Sequence, residues 1–375
     1  MSGTSPSSSR LDGAVELRGW DSIEFWVGNA RAFAGFLMSG FGFVTTAYAG
    51  PETGASGIAS YVLEQGAIRL VVTSAQVADH PIAEHVRVHG DGVHDLAWIV
   101  DDAARAFEVA VARGARAVRP PWTEHDERGD LELAQIATYG ETRHTFVNRS
   151  RWTAGTLAPH YRADDLPPAP LGPPVGLERV DHVVGNVERG ELDRWVQFYE
   201  QVLGFTQLRH FDADQIRTEY SALVSTVVTD GHDIVMPLNE PADGLRRSQI
   251  QEYLDTYGGP GVQHLALRTG DIVAAVEAMK ARGVRFMHVP DDYYDDAKQR
   301  LAGIDLPWDA IQRLGILTDI EPDGVLLQIF TETLTDRPTV FFEIIERRGA
   351  AGFGEGNFKA LFEAIEHEQD RRGNL

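Results

Sequence analysis

The chain contains an internal repeat, and this repeat limits the folds that the chain can adopt more than any other feature. The segment GDGVHDLAW at 90–98 matches GPGVQHLAL at 259–267 at five of nine positions, with an offset of 259 − 90 = 169. The same offset, without a gap, pairs Asp102 with Asp271 and Pro121 with Pro290, and the triplet Ala-Arg-Gly also recurs in register. An ungapped match over such a length indicates a duplicated structural unit.

Each copy has the pattern of a strand followed by a helix. Apolar residues of the helix recur at spacings of three and four, and the glycine of Ala-Arg-Gly is typical of a helix end. We expect a strand directly after this glycine in both copies. Further matches join EFWVGN (24–29) to DHVVGN (181–186) and HTFVNRS (144–150) to VFFEIIE (340–346).

The segment DDLPPAPLGPPVG (164–176) separates the two copies, and it is too rich in proline and glycine to lie inside a helix or strand. A length of 375 residues also suits about two domains. We predict the following division: a disordered start at 1–13, an N-terminal domain without metal at 14–160, a linker at 161–176, a catalytic domain at 177–348, and a hinge with a C-terminal lid helix at 349–375.

The charge balance excludes some partners. With 34 basic and 56 acidic residues the net charge is −22, which repels nucleic acid and anionic membrane surfaces. The chain has no cysteine, so any metal must be held by His, Asp or Glu. Its first ten residues are polar, and no apolar run reaches the ~18 residues of a membrane span. We expect a cytoplasmic protein that forms a homo-oligomer.

A buried carboxylate points to a metal site. In TVFFEII (339–345) both faces of the predicted strand are apolar, so Glu343 needs a cationic or hydrogen-bonding partner. When Asn148 is aligned with Glu343, the N-terminal copy has Phe25, Asp95 and Asn148 where the C-terminal copy has His182, His264 and Glu343.

Two histidines and one carboxylate from separate strands match the facial triad of non-haem iron(II) oxygenases, which leaves coordination positions open. A single strand histidine is more often structural, but three coincident replacements favour a site. Zinc on the same ligands would favour a four-coordinate hydrolytic centre. We interpret His80, His85, His89 and His125 as surface residues.

Longer motifs carry a resemblance to a known family. DHVVGNV, GVQHLAL, LLQIFT, RPTVFFEIIER and GFGEGNFKALFEAIE resemble the 4-hydroxyphenylpyruvate dioxygenase family of the vicinal oxygen chelate superfamily. The likeness covers most of the chain and is strongest from about residue 178. It implies an α+β fold of duplicated βαβββ modules, glyoxalase-like, with two open-barrel domains and a C-terminal helix.

The resemblance also implies a reaction. An Fe(II) enzyme of this family converts 4-hydroxyphenylpyruvate and O2 to homogentisate and CO2 in tyrosine catabolism. Three alternatives stay open: hydroxymandelate synthase, which oxidises the benzylic carbon of the same substrate, an extradiol ring-cleaving dioxygenase, and a small-molecule-binding module without catalysis. Pro237, Asn239 and Phe358 favour the ring-hydroxylating enzyme over the synthase.

Positions that match the family imply the pocket residues. The implied catalytic residues are Ser225, Asn239, Gln263 and Gln328, and the implied substrate-binding residues are Pro237, Gln249, Phe330, Phe341, Phe353 and Phe358. Strict strand alternation would turn Gln263 away from neighbouring His264, so its place in the pocket requires a bulge or a curled strand. The glycine-rich segment GAAGFGEGN (349–357) is typical of a hinge, and we expect the helix after it to close over the iron.

Overall fold

The computed structural model describes residues 15–153, 155–164, 166, 172–212 and 221–373, and of the last helix it leaves out the side chains at 355, 356, 358, 359 and 367. The predicted disordered start at 1–13 and the side chain of Phe358 therefore lie outside the described residues.

The described part of the chain forms four βαβββ modules. The N-terminal half contains β1 (Leu17–Trp26), α1 (Ala30–Phe41), β2 (Val44–Ala49), β3 (Ile58–Gln65), β4 (Ile68–Ala75), α2 (Pro81–His89), β5 (Gly92–Val100), α3 (Ala103–Ala112), β6 (Ala117–Asp126), β7 (Gly129–Ala137) and β8 (Arg143–Trp152). The C-terminal half contains β9 (Leu177–Asn186), α4 (Leu192–Phe198), β10 (Thr206–Phe211), β11 (Ala222–Thr229), β12 (Val235–Ala242), α5 (Gln249–Tyr257), β13 (Gly261–Thr269), α6 (Ile272–Ala281), α7 (Asp292–Arg300), α8 (Trp308–Leu314), β14 (Leu317–Glu321), β15 (Gly324–Phe330), β16 (Phe341–Arg348) and α9 (Glu355–Arg372).

Each half forms one eight-stranded mixed sheet, and the two sheets have the same strand order. The orders are β2-β3-β4-β1-β5-β8-β7-β6 and β10-β11-β12-β9-β13-β16-β15-β14. The two modules of a half meet where β1 pairs antiparallel with β5 and where β9 pairs antiparallel with β13. The duplicated fold predicted from the repeat is confirmed.

The residues matched in the repeat have local structural roles. Asp102 and Asp271 cap the N-termini of α3 and α6, where their side chains accept a hydrogen bond from a backbone N–H three residues ahead. Gly114 and Gly283 follow the C-caps of these helices with φ values of 107° and 89°, which favour glycine. Helix capping therefore accounts for the ungapped match around both helices.

One expectation about the second copy is wrong. No named strand follows Gly283 directly, because α7 and α8 lie between α6 and β14. The acidic segment DDYYDDAKQR forms α7 just after Pro290, and Tyr294 and Ala297 supply its buried face. Helices α7 and α8 have no counterpart in the first copy, so comparison of the two copies could not reveal them.

The expected equivalents of two triad residues are also wrong. On β9, His182 lies opposite Ala266, and the residue opposite the matching Ala97 on β1 is Ser22. The strands on the other side of the central strand give the same correspondence: Ala266 pairs with Glu343 on β16, and Ala97 pairs with Thr145 on β8. The N-terminal counterparts of the triad are therefore Ser22, Asp95 and Thr145, and not Phe25 and Asn148.

An ion pair that recurs in both halves supports this register. Arg149 on β8 pairs with Asp21 on β1, and Arg347 on β16 pairs with Asp181 on β9. The sequence alignment was shifted by three residues because EFWVGN and DHVVGN share Gly-Asn, although the structurally equivalent segment is DSIEFW (21–26).

The two halves share one hydrophobic core. Phe342 lies on the face of β16 opposite Glu343, and its ring contacts Phe25 and Phe41 of the N-terminal half at centroid distances of 6.4 and 5.2 Å. The strand that carries the buried carboxylate is therefore held on its other face by the first half. Among the described residues, no helix is both long and apolar enough to cross a membrane.

Asp95, the counterpart of His264, is a buried carboxylate. It accepts hydrogen bonds from Thr145 and from Gln135, the latter at 3.1 Å. Burial raises the pKa of Asp95 from 3.8 to about 7, with a further contribution from neighbouring Glu24. Because the folded protein then binds more protons than the unfolded chain between these two values, Asp95 lowers stability as the pH rises from about 4 to about 7.

We therefore expect Asp95→Asn to stabilise the protein at pH 8 relative to its effect at pH 5, by about 3 kcal/mol, because part of the pKa range from 3.8 to about 7 lies below pH 5. Asparagine keeps an oxygen that accepts from Thr145 and Gln135. Urea unfolding at both pH values measures the difference, with Asp296→Asn on the exposed side of α7 as the control. An equal effect of Asp95→Asn at both pH values would contradict this assignment.

Candidate metal centre

Three strands at the centre of the C-terminal sheet bring His182, His264 and Glu343 together. Strand β13 lies between β9 and β16, and its Ala266 is the register partner of both His182 and Glu343. Oε2 of Glu343 lies 3.2 Å from Nε2 of His182 and 3.4 Å from Nε2 of His264. All three residues are at least 96% buried, with exposed fractions of 2, 4 and 1% in the order named.

Further polar groups fix the orientation of both imidazoles. Nδ1 of His182 lies 2.9 Å from Asp181, which in turn accepts two hydrogen bonds of 2.8 Å from Arg347. Nδ1 of His264 lies 3.0 Å from Oε1 of Gln263. When Nδ1 donates to an oxygen, Nε2 is left with its lone pair free for a metal. Both histidines therefore present Nε2 toward Glu343.

A bulge brings Gln263 to the same side as His264. The pairing of β13 with β9 shifts register between Val262 and His264. The shift interrupts strict alternation, so Gln263 and His264 line the same cavity.

The electrostatics of the three groups are those of a site that requires a cation. Burial opposes ionisation of Glu343, but the charges and hydrogen bonds of the two histidines outweigh it and lower its pKa to about 2. Burial likewise opposes protonation of His182, but Glu343 and Asp181 raise its pKa to about 9. Burial lowers the pKa of His264. A protonated His182 thus supplies the positive charge that a divalent cation would supply.

The donor set fits a divalent metal ion. The three ligand atoms lie within 4.8 Å of one another, and each comes from a different strand. Two neutral imidazole nitrogens and one carboxylate are the donors of 2-His-1-carboxylate iron sites. Glu343 is held further because Nε2 of Gln328 donates to its Oε1 at 2.7 Å.

A cavity lies beside the three ligands. Besides the ligands it is lined by Val184, Leu223, Pro237, Asn239, Gln249, Gln263, Gln328, Phe330, Phe353, Asn357, Leu361 and Phe362. Oδ1 of Asn239 and Oε1 of Gln249 are buried and have no hydrogen-bond partner among the described residues. A buried amide without a partner is costly, so these groups indicate a polar ligand.

Among the implied pocket residues whose side chains are described, most line this cavity, but Phe341 and Ser225 do not. Phe341 stacks on the ring of His264 at 4.7 Å and faces a neighbouring cavity. Ser225 is the register partner of Asn239 and lies on the same face of the sheet, but it does not line the cavity, and its buried Oγ has no partner among the described residues. Phe353 contacts the ring of His182 edge-on at 5.2 Å.

The sequence analysis missed three polar residues of the site. Asp181 and Arg347 orient His182. Both belong to motifs quoted above: Asp181 directly precedes His182, and Arg347 follows Glu343 by four residues. Asn357 of α9 donates to Oε1 of Gln328 at 2.6 Å and accepts from the hydroxyl of Tyr293 at 2.9 Å. This chain of hydrogen bonds links the last helix to Glu343. The only sequence signal for Asn357 was its position in the motif GFGEGNF.

Comparison with known proteins agrees with the fold and the site. The family described as "Glyoxalase/Bleomycin resistance protein/Dioxygenase superfamily" matches residues 179–329. The chain is 44% identical over 398 residues to 4-hydroxyphenylpyruvate dioxygenase of Aspergillus fumigatus, covering 100% of this chain and 98% of that protein. It is 45% identical over 367 residues to the enzyme of the same name from Dictyostelium discoideum, covering 96% and 100%. A solved mutant of 4-hydroxymandelate synthase from Streptomyces coelicolor superposes with a TM-score of 0.84 at 36% identity, covering 94% and 99%.

Fold and site thus define a metal-dependent enzyme of the glyoxalase and dioxygenase superfamily. Within it, full-length identity of this level places the protein: the chain belongs to the 4-hydroxyphenylpyruvate dioxygenase family. The fold, family and enzyme class predicted from the sequence are confirmed.

If Asp181 orients His182, Asp181→Asn should lower the metal affinity of the His182, His264 and Glu343 site by about 10- to 100-fold. This is the usual effect of losing a group that supports a metal ligand. Chelator competition for Fe(II) without air measures this affinity. Asp233→Asn, which removes the exposed partner of Arg179, serves as the control. Equal affinity in both variants would contradict the role of Asp181.

Proposed function

We propose that the protein converts 4-hydroxyphenylpyruvate and O2 to homogentisate and CO2, a step of tyrosine breakdown. The observation that carries the proposal is the buried triad of His182, His264 and Glu343 beside a cavity with unpartnered amide groups. The family supplies the reaction, and the cavity supplies groups suited to a phenolic keto acid. The acidic chain does not attract a carboxylate through its overall charge, so local attraction must come from a bound cation.

We propose iron(II) as the metal, because the reaction consumes O2 and the donors are those of non-haem iron(II) oxygenases. When bound there, iron supplies open coordination positions for the keto acid and O2 and the redox chemistry that the oxidation needs. The protein's own residues hold, orient and enclose the reactants.

Two glutamines act as positioning residues in this proposal. Gln328 donates to Oε1 of Glu343, so the other carboxylate oxygen faces the histidines. Gln263 accepts from Nδ1 of His264 and fixes its tautomer. Both side chains also line the cavity, so their remaining polar capacity is available to the substrate.

The far end of the cavity suits the phenol. Asn239 and Gln249 each have a buried amide oxygen that can accept a hydrogen bond from the substrate hydroxyl, and Ser225 stands next to Asn239. Phe330 and Phe353 provide apolar walls on either side of the ligands. These roles, and contact of Phe358 with the substrate ring, belong to the proposal.

Hydroxymandelate synthase is the second candidate, since a mutant of that enzyme shares the fold at 36% identity. Pro237 and Asn239 favour ring hydroxylation, because both line the cavity and a carboxamide can hold the phenol in one orientation. The identity to dioxygenases is also higher, at 44% and 45% for the two relatives named.

We expect homogentisate as the main product from 4-hydroxyphenylpyruvate. The two candidate products are isomers with the same mass, so chromatography against both standards or the aromatic proton pattern by NMR is needed. A 1,4-disubstituted ring would identify 4-hydroxymandelate and overturn the choice of reaction. A ring-cleaved product from a catechol would favour the extradiol alternative.

Substitutions of the triad test the alternative that the protein binds small molecules without catalysis. Replacing His182, His264 or Glu343 by Ala should abolish turnover, because each removes one of three metal ligands. Without air, iron(II) and the keto acid should give the wild-type protein a visible charge-transfer band that the variants lack. Full turnover without Glu343 would refute the site, and a colourless wild-type protein would favour the binding module.

The start of α9 decides whether the helix acts as a lid. Gly354 has φ 66°, and a Cβ there would lie 3.1 Å from Leu326 and 3.3 Å from Asn357. Gly354→Ala should therefore displace Asn357 and lower the yield of homogentisate per O2 consumed. Gly303→Ala is the matched control, because Gly303 has φ 90° with nothing within 4 Å of the added Cβ. Equal yields in both variants would show that α9 only packs against the domain.

We also propose a homo-oligomer in the cytoplasm. The support for association is that β10 is an edge strand with five of six residues exposed, including Leu208. Exposed edges of this kind pair readily with another chain. Light scattering in solution measures the state, and a monomer at micromolar concentration would contradict the proposal.

A further inference from the structure

A second cluster of possible metal ligands lies in the N-terminal half, for which the sequence analysis predicted no metal. His85 and His89 are four residues apart on α2, and Glu141 follows β7. One ligand atom of each lies within 4.8 Å of the other two. Oε2 of Glu141 is 2.8 Å from Nδ1 of His85 and 3.4 Å from Nε2 of His89.

The interpretation of His85 and His89 as surface residues is wrong. Their exposed fractions are 3% and 6%, because α2 turns this side toward Trp26 and Tyr257. The surrounding sequence EHVRVH is mostly polar, which hid the helical spacing of the two histidines. His80 is half-buried, and His125 is exposed as predicted.

The orientation of His89 is that of a metal ligand. Its Nδ1 lies 2.6 Å from the backbone carbonyl oxygen of Tyr257, to which it donates, so the lone pair of Nε2 points toward Glu141. His182 has the same arrangement with Asp181 in the first site. Tetrahedral ligands at zinc–nitrogen distances of about 2.0–2.1 Å are roughly 3.3 Å apart. The 3.4 Å between Glu141 and His89 is close to this value, whereas the 2.8 Å between Glu141 and His85 is a hydrogen-bond distance that a bound ion would lengthen.

Unpartnered nitrogens next to the cluster are a separate observation. His94 is 2% exposed, and neither ring nitrogen has a partner among the described residues. Its ring stacks on Trp26 at 3.3 Å and lies 5.2 Å from the ring of His85, whose Nε2 also lacks a partner. Neutral imidazoles with free lone pairs are metal-binding groups.

We propose that His85, His89 and Glu141 bind a divalent first-row cation of the zinc type, with His94 or water completing the coordination. Two imidazoles and a carboxylate are zinc donors, and zinc binds such sites more tightly than iron(II). Arg143, whose guanidinium carbon lies 5.8 Å from the centroid of the Trp26 ring, opposes a cation electrostatically. The half-exposed Glu141 provides the compensating negative charge.

The location gives the proposed ion a structural role. Tyr257 is the last residue of α5, whose first residue, Gln249, lines the cavity of the catalytic site. A cation on His89 would therefore connect the N-terminal half, through Tyr257, to a helix of the C-terminal half. The proposal is independent of the reaction catalysed, because it uses none of the catalytic ligands.

Zinc content of the full chain tests the site. Since the triad also binds zinc, the His182→Ala/His264→Ala protein is the background, and it should retain one zinc per chain after dialysis against micromolar zinc. Adding Glu141→Gln, a half-exposed position that folding tolerates, should weaken this zinc at least about tenfold, the loss typical of removing a ligand or its support. Adding His89→Gln as well should abolish binding. Adding His232→Ala instead, an exposed histidine on another surface, should leave the zinc unchanged.

Cobalt(II) gives a second reading on the same background. With no cysteine in the chain, visible absorption of bound cobalt reports His and Glu coordination alone, and its intensity distinguishes four-coordinate from six-coordinate ions. Zinc should also raise the melting temperature of the background protein, and by less in the Glu141→Gln variant. If the background protein holds no zinc, or if Glu141→Gln leaves zinc affinity unchanged, the cluster is only a hydrogen-bonded contact between histidine and glutamate, and the proposal is overturned.

Discussion

The interaction on which the C-terminal half depends is the compensation of a buried carboxylate. Glu343 is 1% exposed on a strand whose other face packs in the shared core. Leaving such a charge without partners costs several kcal/mol. His182, His264 and Gln328 provide those partners, and a metal ion would replace the proton that His182 otherwise holds. The same burial that makes the carboxylate costly makes the site a strong cation binder.

The scaffold explains why such a site can exist in one half and not in the other. Both halves place three side chains around one alanine of the central strand, and both brace the neighbouring strand with an Asp–Arg pair. In the N-terminal half the three positions carry Ser22, Asp95 and Thr145, and Asp95 responds to burial with a raised pKa instead of binding a cation. The fold thus supplies the geometry, while the identity of three residues decides the chemistry.

The last helix connects catalysis to the rest of the domain. Asn357 hydrogen-bonds to Gln328, which donates to Glu343, so movement of α9 would alter the support of a metal ligand. The helix also reaches α5 through the ion pair of Arg372 with Glu252 at 2.9 Å. The position of α9 and the orientation of Glu343 are therefore coupled through side chains on three different elements.

The sequence by itself determined the duplicated fold, the family and the three residues of the candidate metal centre. It did so because helix caps repeat in register and because a carboxylate between apolar neighbours demands a partner. Tertiary structure alone decided the residues whose roles depend on long-range packing. It corrected the counterparts of the triad to Ser22 and Thr145, since strand register depends on pairing between distant segments and not on local similarity. It also brought His85 and His89 into the interior, because the burial of a polar helix face is set by the neighbours that cover it.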